Sequence, residues 1–209
     1  MSASLDFQKM NVPRLEESEI RDIADQVRHK YWGDGIPVDV ELIAEKGFDL
    51  TFTPVPGLKQ LANTEAFLLS TLDEIVCEIN SPEVRLRFSI AHELGHKVLH
   101  PAQVALLRPT SYENWKQILD TIPMWIWKRM EYQANEFAGR LLVPRGKLID
   151  SLKHTTCQKL LDKVRETLPD ADSQALYPYI AKHICKDFNV SDNAMKIRLQ
   201  VEGIDLFSL

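Results

Sequence analysis

Two histidines and a glutamate near the middle of the chain have the spacing of a metal site. The pentad is His92-Glu93-Leu94-Gly95-His96, within a stretch that reads as one helix with an apolar stripe at Leu86, Ile90, Leu94 and Val98. Residues four apart project from one helical face, so both imidazoles can bind the same ion. Glu93 is rotated by roughly 100° from His92, so it can reach a metal-bound water without being a ligand. The pattern predicts zinc held by two histidines, with Glu93 as general base.

A third ligand is expected from residues 131–144, which read as a second helix that ends before Pro144. Glu131 borders the apolar stripe of this helix, and Asn135 follows one turn later on the same face. The carboxylate can bind the metal while the amide accepts the second ring N–H of a ligating histidine. Glu136, roughly 140° away around the helix, is the weaker candidate. The competing interpretation for both glutamates is a solvated helix face.

Other residues near the pentad have less specific explanations. His100 lies about 12 Å along the helix axis from His92, so a helix C-cap or a role in supporting a ligand is favoured over a third-ligand role. Gly95 costs up to about 1 kcal/mol relative to alanine inside a helix, and it is consistent with close backbone packing beside the site. Tyr132 and His154 are candidates for stabilising an oxyanion, although no spacing positions them. His29, His154 and His183 are predicted to be surface residues.

The composition is that of an ordinary intracellular globular protein. The chain has 209 residues, 44% of them hydrophobic, with net charge −5 and a pI near 5.7. That charge argues against a broad nucleic-acid-binding surface. No signal peptide and no apolar run of about 20 residues is present, so a cytoplasmic protein is expected. The three cysteines (Cys77, Cys157 and Cys185) are predicted to be reduced thiols, with Cys77 buried in a strand.

The predicted order of elements is two helices, three strands and then helices. Asp39 is expected to cap the second helix, which ends at Gly47. Alternating aromatic and apolar residues predict a strand through Phe48, Leu50 and Phe52, closed at Pro54–Gly57. Residues 66–70 and 74–80 predict a hairpin. The fold class is α+β, with a small, mainly antiparallel sheet packed on the two metal-binding helices. The second hairpin strand is either interior or an edge that could pair with an extended substrate.

Beyond Pro144, helices are predicted at about 146–168, 173–187 and 191–201, and the last pair has the spacing of a helix-turn-helix. Acidic neighbours dilute its basic residues, so DNA binding is not expected; the basic residues are Lys182, Lys186, Lys196 and Arg198. We expect a metal-binding core at 1–144 and a C-terminal helical extension at 145–209 packed on it. The spacer 101–130 holds Trp115, Trp125 and Trp127, which could shape a cleft.

Several motifs together resemble the ImmA/IrrE metallo-endopeptidases, gluzincin-like proteins of bacteria and phages. The likeness covers roughly residues 20–203, and its specific parts are Arg85-x-Arg87-Phe88 leading into the pentad and Glu131-x-x-Ala134-Asn135 leading to Leu142-Val143-Pro144. The resemblance implies that His92, His96 and Glu131 bind the metal and that Glu93 is the general base. In one departure, Asn135 stands where many gluzincins carry aspartate. Its neutral amide can still orient a histidine, although it lends that ring less negative charge.

The resemblance also implies a function and a partner. A zinc endopeptidase with one Zn²⁺ per chain would cleave a narrow protein substrate, namely a helix-turn-helix repressor encoded nearby. That cleavage would release transcription of a mobile element, stress or toxin–antitoxin operon. The alternative is a non-catalytic, metal-stabilised antirepressor or toxin–antitoxin component that binds the repressor without cutting it. Retention of Glu93 favours the enzyme, because a purely structural site has no use for an unliganded glutamate.

Overall fold

The computed structural model describes residues 7, 10–107, 117–118, 120–167 and 171–209, including ten α-helices and three strands. The strands are β1 (Thr51–Val55), β2 (Ala66–Leu68) and β3 (Glu74–Glu78). The helices are α1 (Glu17–Tyr31), α2 (Val40–Leu42), α3 (Leu58–Ala62), α4 (Glu83–Leu99), α5 (Pro101–Leu107), α6 (Met124–Leu142), α7 (Arg145–Lys153), α8 (Thr155–Thr167), α9 (Ser173–Ile184) and α10 (Asp192–Val201). The α+β class is confirmed.

The three strands form a mixed sheet in the order β1-β3-β2. The predicted hairpin is confirmed, since β2 pairs with β3 in antiparallel register with Phe67 opposite Val76. The β1–β3 pair is parallel, so the prediction of a mainly antiparallel sheet is wrong in this detail. A crossover through α3 and β2 joins the two parallel strands. β3 is therefore the interior strand, and the edge beside the metal-binding helices belongs to β2.

The segment before β1 differs from the sequence prediction. The Asp39 carboxylate accepts a hydrogen bond from the Leu42 amide at 2.9 Å, which confirms the predicted cap of α2. The helix continues as one π turn, Ile43–Gly47, and the Leu50 amide still donates to the Ala44 carbonyl. The strand predicted from Phe48 therefore begins only at Thr51. Its Pro54 is tolerated because β1 is an edge strand.

Helices α4 and α6 pack against each other at unusually close range, and Gly95 makes this possible. A Cβ atom added at Gly95 would lie 3.2 Å from both the Cα and the carbonyl oxygen of Ala134. The prediction of close backbone packing at Gly95 is confirmed. The core residues on these two helices are almost fully buried, among them Ile90 and Leu94 of α4 and Phe137 of α6. The close approach brings the pentad within reach of residues on α6.

The long helix predicted at 146–168 is interrupted at His154, which has an extended backbone. The apolar positions explain the break, because buried Cys157 follows buried Leu152 by five positions. Steps of four positions join the other buried members of the stripe, Leu148 to Leu152 and Cys157 to Leu161. A continuous helix would turn the second half of the stripe by roughly 140° away from the core. The Gln158 side chain donates to the Leu152 carbonyl at 2.8 Å. This carbonyl lies in the last turn of α7, where the helix supplies no backbone partner.

Three further predictions are tested by the fold. Cys77, Cys157 and Cys185 are free and buried, and Cys77 lies in β3. His29, His154 and His183 are exposed, as predicted. None of the helices in the described part of the chain is long and apolar enough to cross a membrane. Trp115 of the predicted spacer lies outside the described residues.

Candidate metal centre

The structure brings His92, His96 and Glu131 together across the α4–α6 contact. The Nε2 atoms of the two imidazoles are 3.0 Å apart. The Glu131 carboxylate approaches both rings, with Oε1 3.2 Å from the His96 Nε2 and Oε2 3.4 Å from the His92 Nε2. The ligand atoms of the three residues lie within 4.8 Å of one another. Two imidazoles and a carboxylate converging in this way are compatible with a metal site.

The Asn135 amide orients one of these rings. Its Oδ1 lies 3.1 Å from the His92 Nδ1, so this ring nitrogen donates and Nε2 points to the other two groups. Burial on its own lowers the pKa of His92, but the hydrogen bond and charge of Glu131 outweigh it and raise that pKa to about 9. Burial opposes ionisation of Glu131, yet the contacts of its carboxylate with the His92 and His96 rings hold its pKa well below the usual range. Glu131 is therefore an ionised carboxylate that faces two rings, and its oxygens are available as metal ligands.

Glu93 occupies a separate position beside the cluster. Its Oε2 accepts a hydrogen bond from the Leu68 amide of β2 at 2.8 Å. Burial raises the pKa of this carboxyl group, and the nearby histidines oppose that shift. Glu93 does not belong to the His92–His96–Glu131 group of convergent donors. The carboxylate is thus anchored to the sheet edge while it faces the same cleft.

Glu136, the weaker sequence candidate, lies elsewhere. Its Oε1 accepts hydrogen bonds from the Arg21 Nε at 2.7 Å and from the Arg198 Nη1 at 2.9 Å. Arg198 also pairs with Glu202, one turn further along α10. Glu136 therefore joins α6 to α1 and α10 through buried ion pairs, and it does not approach the histidines.

His100 contacts the cluster through the His96 ring. As the C-cap of α4, it donates its backbone N–H to the His96 carbonyl at 2.9 Å. Its ring is fully buried, with Nδ1 3.2 Å from the His96 Nδ1 and Nε2 2.7 Å from the Gln133 Oε1. Burial lowers the pKa of His100 to about 4, so its ring is neutral at physiological pH. The role of Gln133 was not predicted, because nothing in the sequence identifies a glutamine between Glu131 and Asn135 as a partner of His100.

The cluster opens into a cleft of about 300 Å³ between β2 and helices α4 and α6. Its walls are mostly apolar, and they include Phe67, Phe88, Val104, Leu107, Trp127 and Met130. Such a mixture of apolar walls and a few convergent polar groups is typical of a ligand-binding site. The contribution of the Leu68 amide was not predictable, because a backbone group leaves no mark in the sequence.

The two oxyanion candidates do not reach this cleft. The Tyr132 hydroxyl donates to the Glu17 carboxylate at 2.5 Å, on the outer side of α6. His154 lines a different surface cavity, together with His183 and Asp187. Within the described part of the chain, neither side chain is placed to contact a group bound at the metal cluster.

The donor set can be tested for its fit to an ion. Catalytic zinc takes three protein ligands and keeps a fourth position open, and two histidines with one glutamate are an established combination. Here the three donors face the open cleft, and Asn135 and His100 each engage the remaining nitrogen of one ring. These partners are the usual support of metal-bound histidines. The residues present therefore fit a zinc ion of this kind.

Comparison with known proteins agrees with this chemistry. A search of curated proteins found no match to the chain. The family model described as IrrE N-terminal-like domain, Peptidase_M78, matches residues 73–200. That region begins just before β3 and includes both helices of the metal cluster, the helical wall of the cleft and the C-terminal helices through most of α10, whereas the β2 wall of the cleft lies before it. The match supports a function of the metallopeptidase type. The chain belongs to the IrrE N-terminal-like family of peptidases.

Proposed function

We propose that the protein is a zinc-dependent endopeptidase. The observation that carries the proposal is the position of Glu93, a half-buried carboxylate outside the donor cluster that faces the same cleft. A site built only to stabilise the fold would be closed by its ligands and would need no such group. By this proposal His92, His96 and Glu131 hold the ion, and Glu93 is the catalytic base.

The chemistry follows from the arrangement of these side chains. When bound, zinc supplies Lewis acidity, which polarises a carbonyl group and makes a water molecule more acidic. Glu93 accepts the proton of the attacking water and later delivers it to the leaving amine. Because Oε2 is held by the Leu68 amide, Oε1 is the oxygen left to move this proton. The raised pKa of Glu93 suits a group that must both take and return a proton.

The outer edge of β2, which pairs with no other described strand, offers a place for the substrate backbone. Glu65 and Leu69 bond to β3 through their backbone groups, so Ala66 and Leu68 between them direct theirs toward the cleft. The Leu68 amide is used by Glu93, and the Ala66 carbonyl is used by the Thr64 hydroxyl. The other two outward groups, the Ala66 amide and the Leu68 carbonyl, would pair with an extended peptide. The peptide bond would then lie beside Glu93 and the ion.

The proposed substrate is a helix-turn-helix repressor encoded near this protein, whose cleavage would release an operon. The resemblance to ImmA/IrrE proteins supports this substrate class. The surroundings of the cleft support selectivity, since Trp127 lines it and Trp125, at the start of the same helix, is 56% exposed. Exposed tryptophan is enriched among the residues that anchor protein partners.

The direct experiment incubates the zinc-loaded protein with the repressor encoded by the neighbouring gene. The native protein should cut the repressor at one site, whereas Glu93→Gln should keep its zinc and lose cleavage. If both proteins bind the repressor and neither cuts it, the antirepressor alternative replaces the enzyme. Casein serves as the control for selectivity, and its indiscriminate degradation would contradict a narrow substrate range.

Trp125 provides a second test, of substrate recognition alone. Trp125→Ala should slow repressor cleavage while zinc content and thermal stability stay near native. Tyr179→Ala is the matched control, because Tyr179 is also an exposed aromatic residue (70%) but lies on α9, in the C-terminal part of the chain. Equal cleavage rates in both variants would remove Trp125 from the recognition surface.

A further inference from the structure

Behind His96, a chain of buried hydrogen bonds leads from the metal cluster to the N-terminal segment. The His96 Nδ1 lies 3.2 Å from the His100 Nδ1, and the His100 Nε2 lies 2.7 Å from the Gln133 Oε1. The Gln133 Nε2 then donates to the Pro13 carbonyl at 2.8 Å. His96, His100 and Gln133 are all buried. Water therefore offers no alternative partners, and the direction of each bond is set by its neighbours.

The direction can be read from the far end. A carbonyl oxygen only accepts, so the Gln133 nitrogen must face Pro13 and the Gln133 oxygen must face His100. That oxygen also only accepts, so the His100 Nε2 carries a hydrogen. Neutral imidazole has one N–H, which leaves the His100 Nδ1 as an acceptor. The His96 Nδ1 must then donate to it, and the lone pair of His96 is left on Nε2.

We infer that His100 and Gln133 are positioning residues that hold His96 in its Nδ1–H tautomer. The Nε2 atom of this tautomer faces His92 and Glu131, so its lone pair is directed into the donor cluster. The opposite tautomer would place a hydrogen where the ion must bind. This inference rests on the metal site of the proposed function, although it concerns only how this chain prepares one ligand.

The N-terminal segment fixes the end of this series of hydrogen bonds that lies farthest from the metal cluster. Three consecutive carbonyls, those of Asn11, Val12 and Pro13, accept hydrogen bonds from Gln103 on α5 and from Arg129 and Gln133 on α6. Met10 and Val12 of the same segment are buried in the core. The Pro13 carbonyl is thus held in place by its neighbours, and it can select the orientation of the Gln133 amide.

The first test reads the tautomers directly in the native, metal-free protein. Nitrogen-15 NMR of the histidine rings at pH 7.5 should show a hydrogen on Nε2 of His100 and on Nδ1 of His96. A hydrogen on Nδ1 of His100, or a predominant Nε2–H form of His96, would overturn the inference. The measurement needs neither zinc nor substrate, so it stands apart from the test of proteolysis.

The second test measures Zn²⁺ affinity by competition with a chromophoric chelator. His100→Leu should weaken Zn²⁺ binding by about 10–100-fold, the usual effect of removing the partner of a ligating histidine. Gln133→Leu should weaken it less, and should give His100 a mixture of tautomers. Gln103→Leu is the matched control. It loses a hydrogen bond to the Asn11 carbonyl of the same N-terminal segment, but Gln103 lies outside the His96–His100–Gln133–Pro13 relay of hydrogen bonds.

Each result decides a part of the inference. Native Zn²⁺ affinity in both His100→Leu and Gln133→Leu would overturn it. If only Gln133→Leu keeps native Zn²⁺ affinity, with a single tautomer of His100, then Gln133 is not a positioning residue. An equal loss in Gln103→Leu would show that only the packing of the N-terminal segment matters. A protein that binds Zn²⁺ with the expected tautomers but cuts no repressor would contradict the proposed function and leave the relay intact.

Discussion

Two glutamates five residues apart on α6 have opposite surroundings. Glu131 faces two imidazoles at 3.2 and 3.4 Å and is partly open to the cleft. Glu136 is nearly buried, and two guanidinium groups contact one of its oxygens at 2.7 and 2.9 Å. One carboxylate therefore lies among groups that can share a cation, whereas the charge of the other is already balanced by arginines. The role of each glutamate follows from its neighbours, since both are the same residue on the same helix.

The largest expected effects come from exchanging the two carboxylates for alanine. Glu131→Ala should abolish stable zinc binding, because it removes one of the three proposed protein ligands. Glu136→Ala should retain about one zinc per chain but lower the free energy of unfolding by about 3 kcal/mol, since buried Arg198 loses a partner. Metal analysis after dialysis and chemical denaturation of the metal-free proteins measure the two effects separately. Equal zinc retention in both variants would contradict the assignment of Glu131.

The next largest effect concerns the distance between the helices that carry the cluster. Gly95→Ala should destabilise the protein by about 1–3 kcal/mol and weaken zinc binding, because its Cβ would press on the backbone of Ala134. Gly139→Ala is the matched control on α6. Its Cβ would lie 3.7 Å from the Arg198 side chain, an ordinary van der Waals distance, so the gain of helix propensity should leave stability equal or higher. Denaturation and zinc competition check both, and a neutral Gly95→Ala would refute the close-contact explanation.

Asn135 gives a smaller and more specific effect. Asn135→Ala removes the acceptor of the His92 Nδ1 hydrogen, so zinc affinity or activity should fall by about 10–100-fold with little change in fold. Asn135→Asp should bind zinc at least as tightly as the native protein, since a carboxylate is a stronger acceptor for this N–H. Chelator competition on the three proteins measures the series. A native affinity in Asn135→Ala would show that His92 needs no such partner.

The last expected effect is a pH dependence of the metal-free protein. The folded-state pKa of His92, about 9, lies above the ordinary value of 6.5 because of Glu131. The resulting stabilisation is complete below pH 6.5 and is lost as pH rises toward 9. His100, with a pKa lowered to about 4, titrates below this window. Denaturation between pH 6.5 and 9 should therefore show a decline in the native protein that Glu131→Gln lacks. The same slope in both would contradict the His92–Glu131 pairing.

The convergence of His92, His96 and Glu131 could be predicted from the sequence because helical spacing is strict. His96 follows His92 by four positions, as Asn135 follows Glu131, and each spacing places two side chains on one face. The preference for Glu131 over Glu136 depended on the same geometry. Two helices that each present such a face can bring their side chains together if a small residue lets the backbones come close. Gly95 is that residue on α4.

Features that depend on contacts between distant segments were not predictable in the same way. The parallel pairing of β1 with β3 and the edge position of β2 depend on the path of the chain between them. The Leu68 amide and the Pro13 carbonyl are backbone groups, which every residue possesses, so composition cannot single them out. The break at His154 was readable in principle, since the five-residue step from Leu152 to Cys157 interrupts the apolar period.

The central claim is that His92, His96 and Glu131 bind one zinc ion while Glu93 does not. Anomalous diffraction at the zinc absorption edge, from crystals of the zinc-loaded protein, tests it most directly. The account predicts a single peak about 2.0–2.2 Å from the Nε2 atoms of both histidines and from a Glu131 oxygen, with Glu93 out of bonding range. A peak coordinated by Glu93 or by the His100 ring, or no peak between α4 and α6, would contradict it.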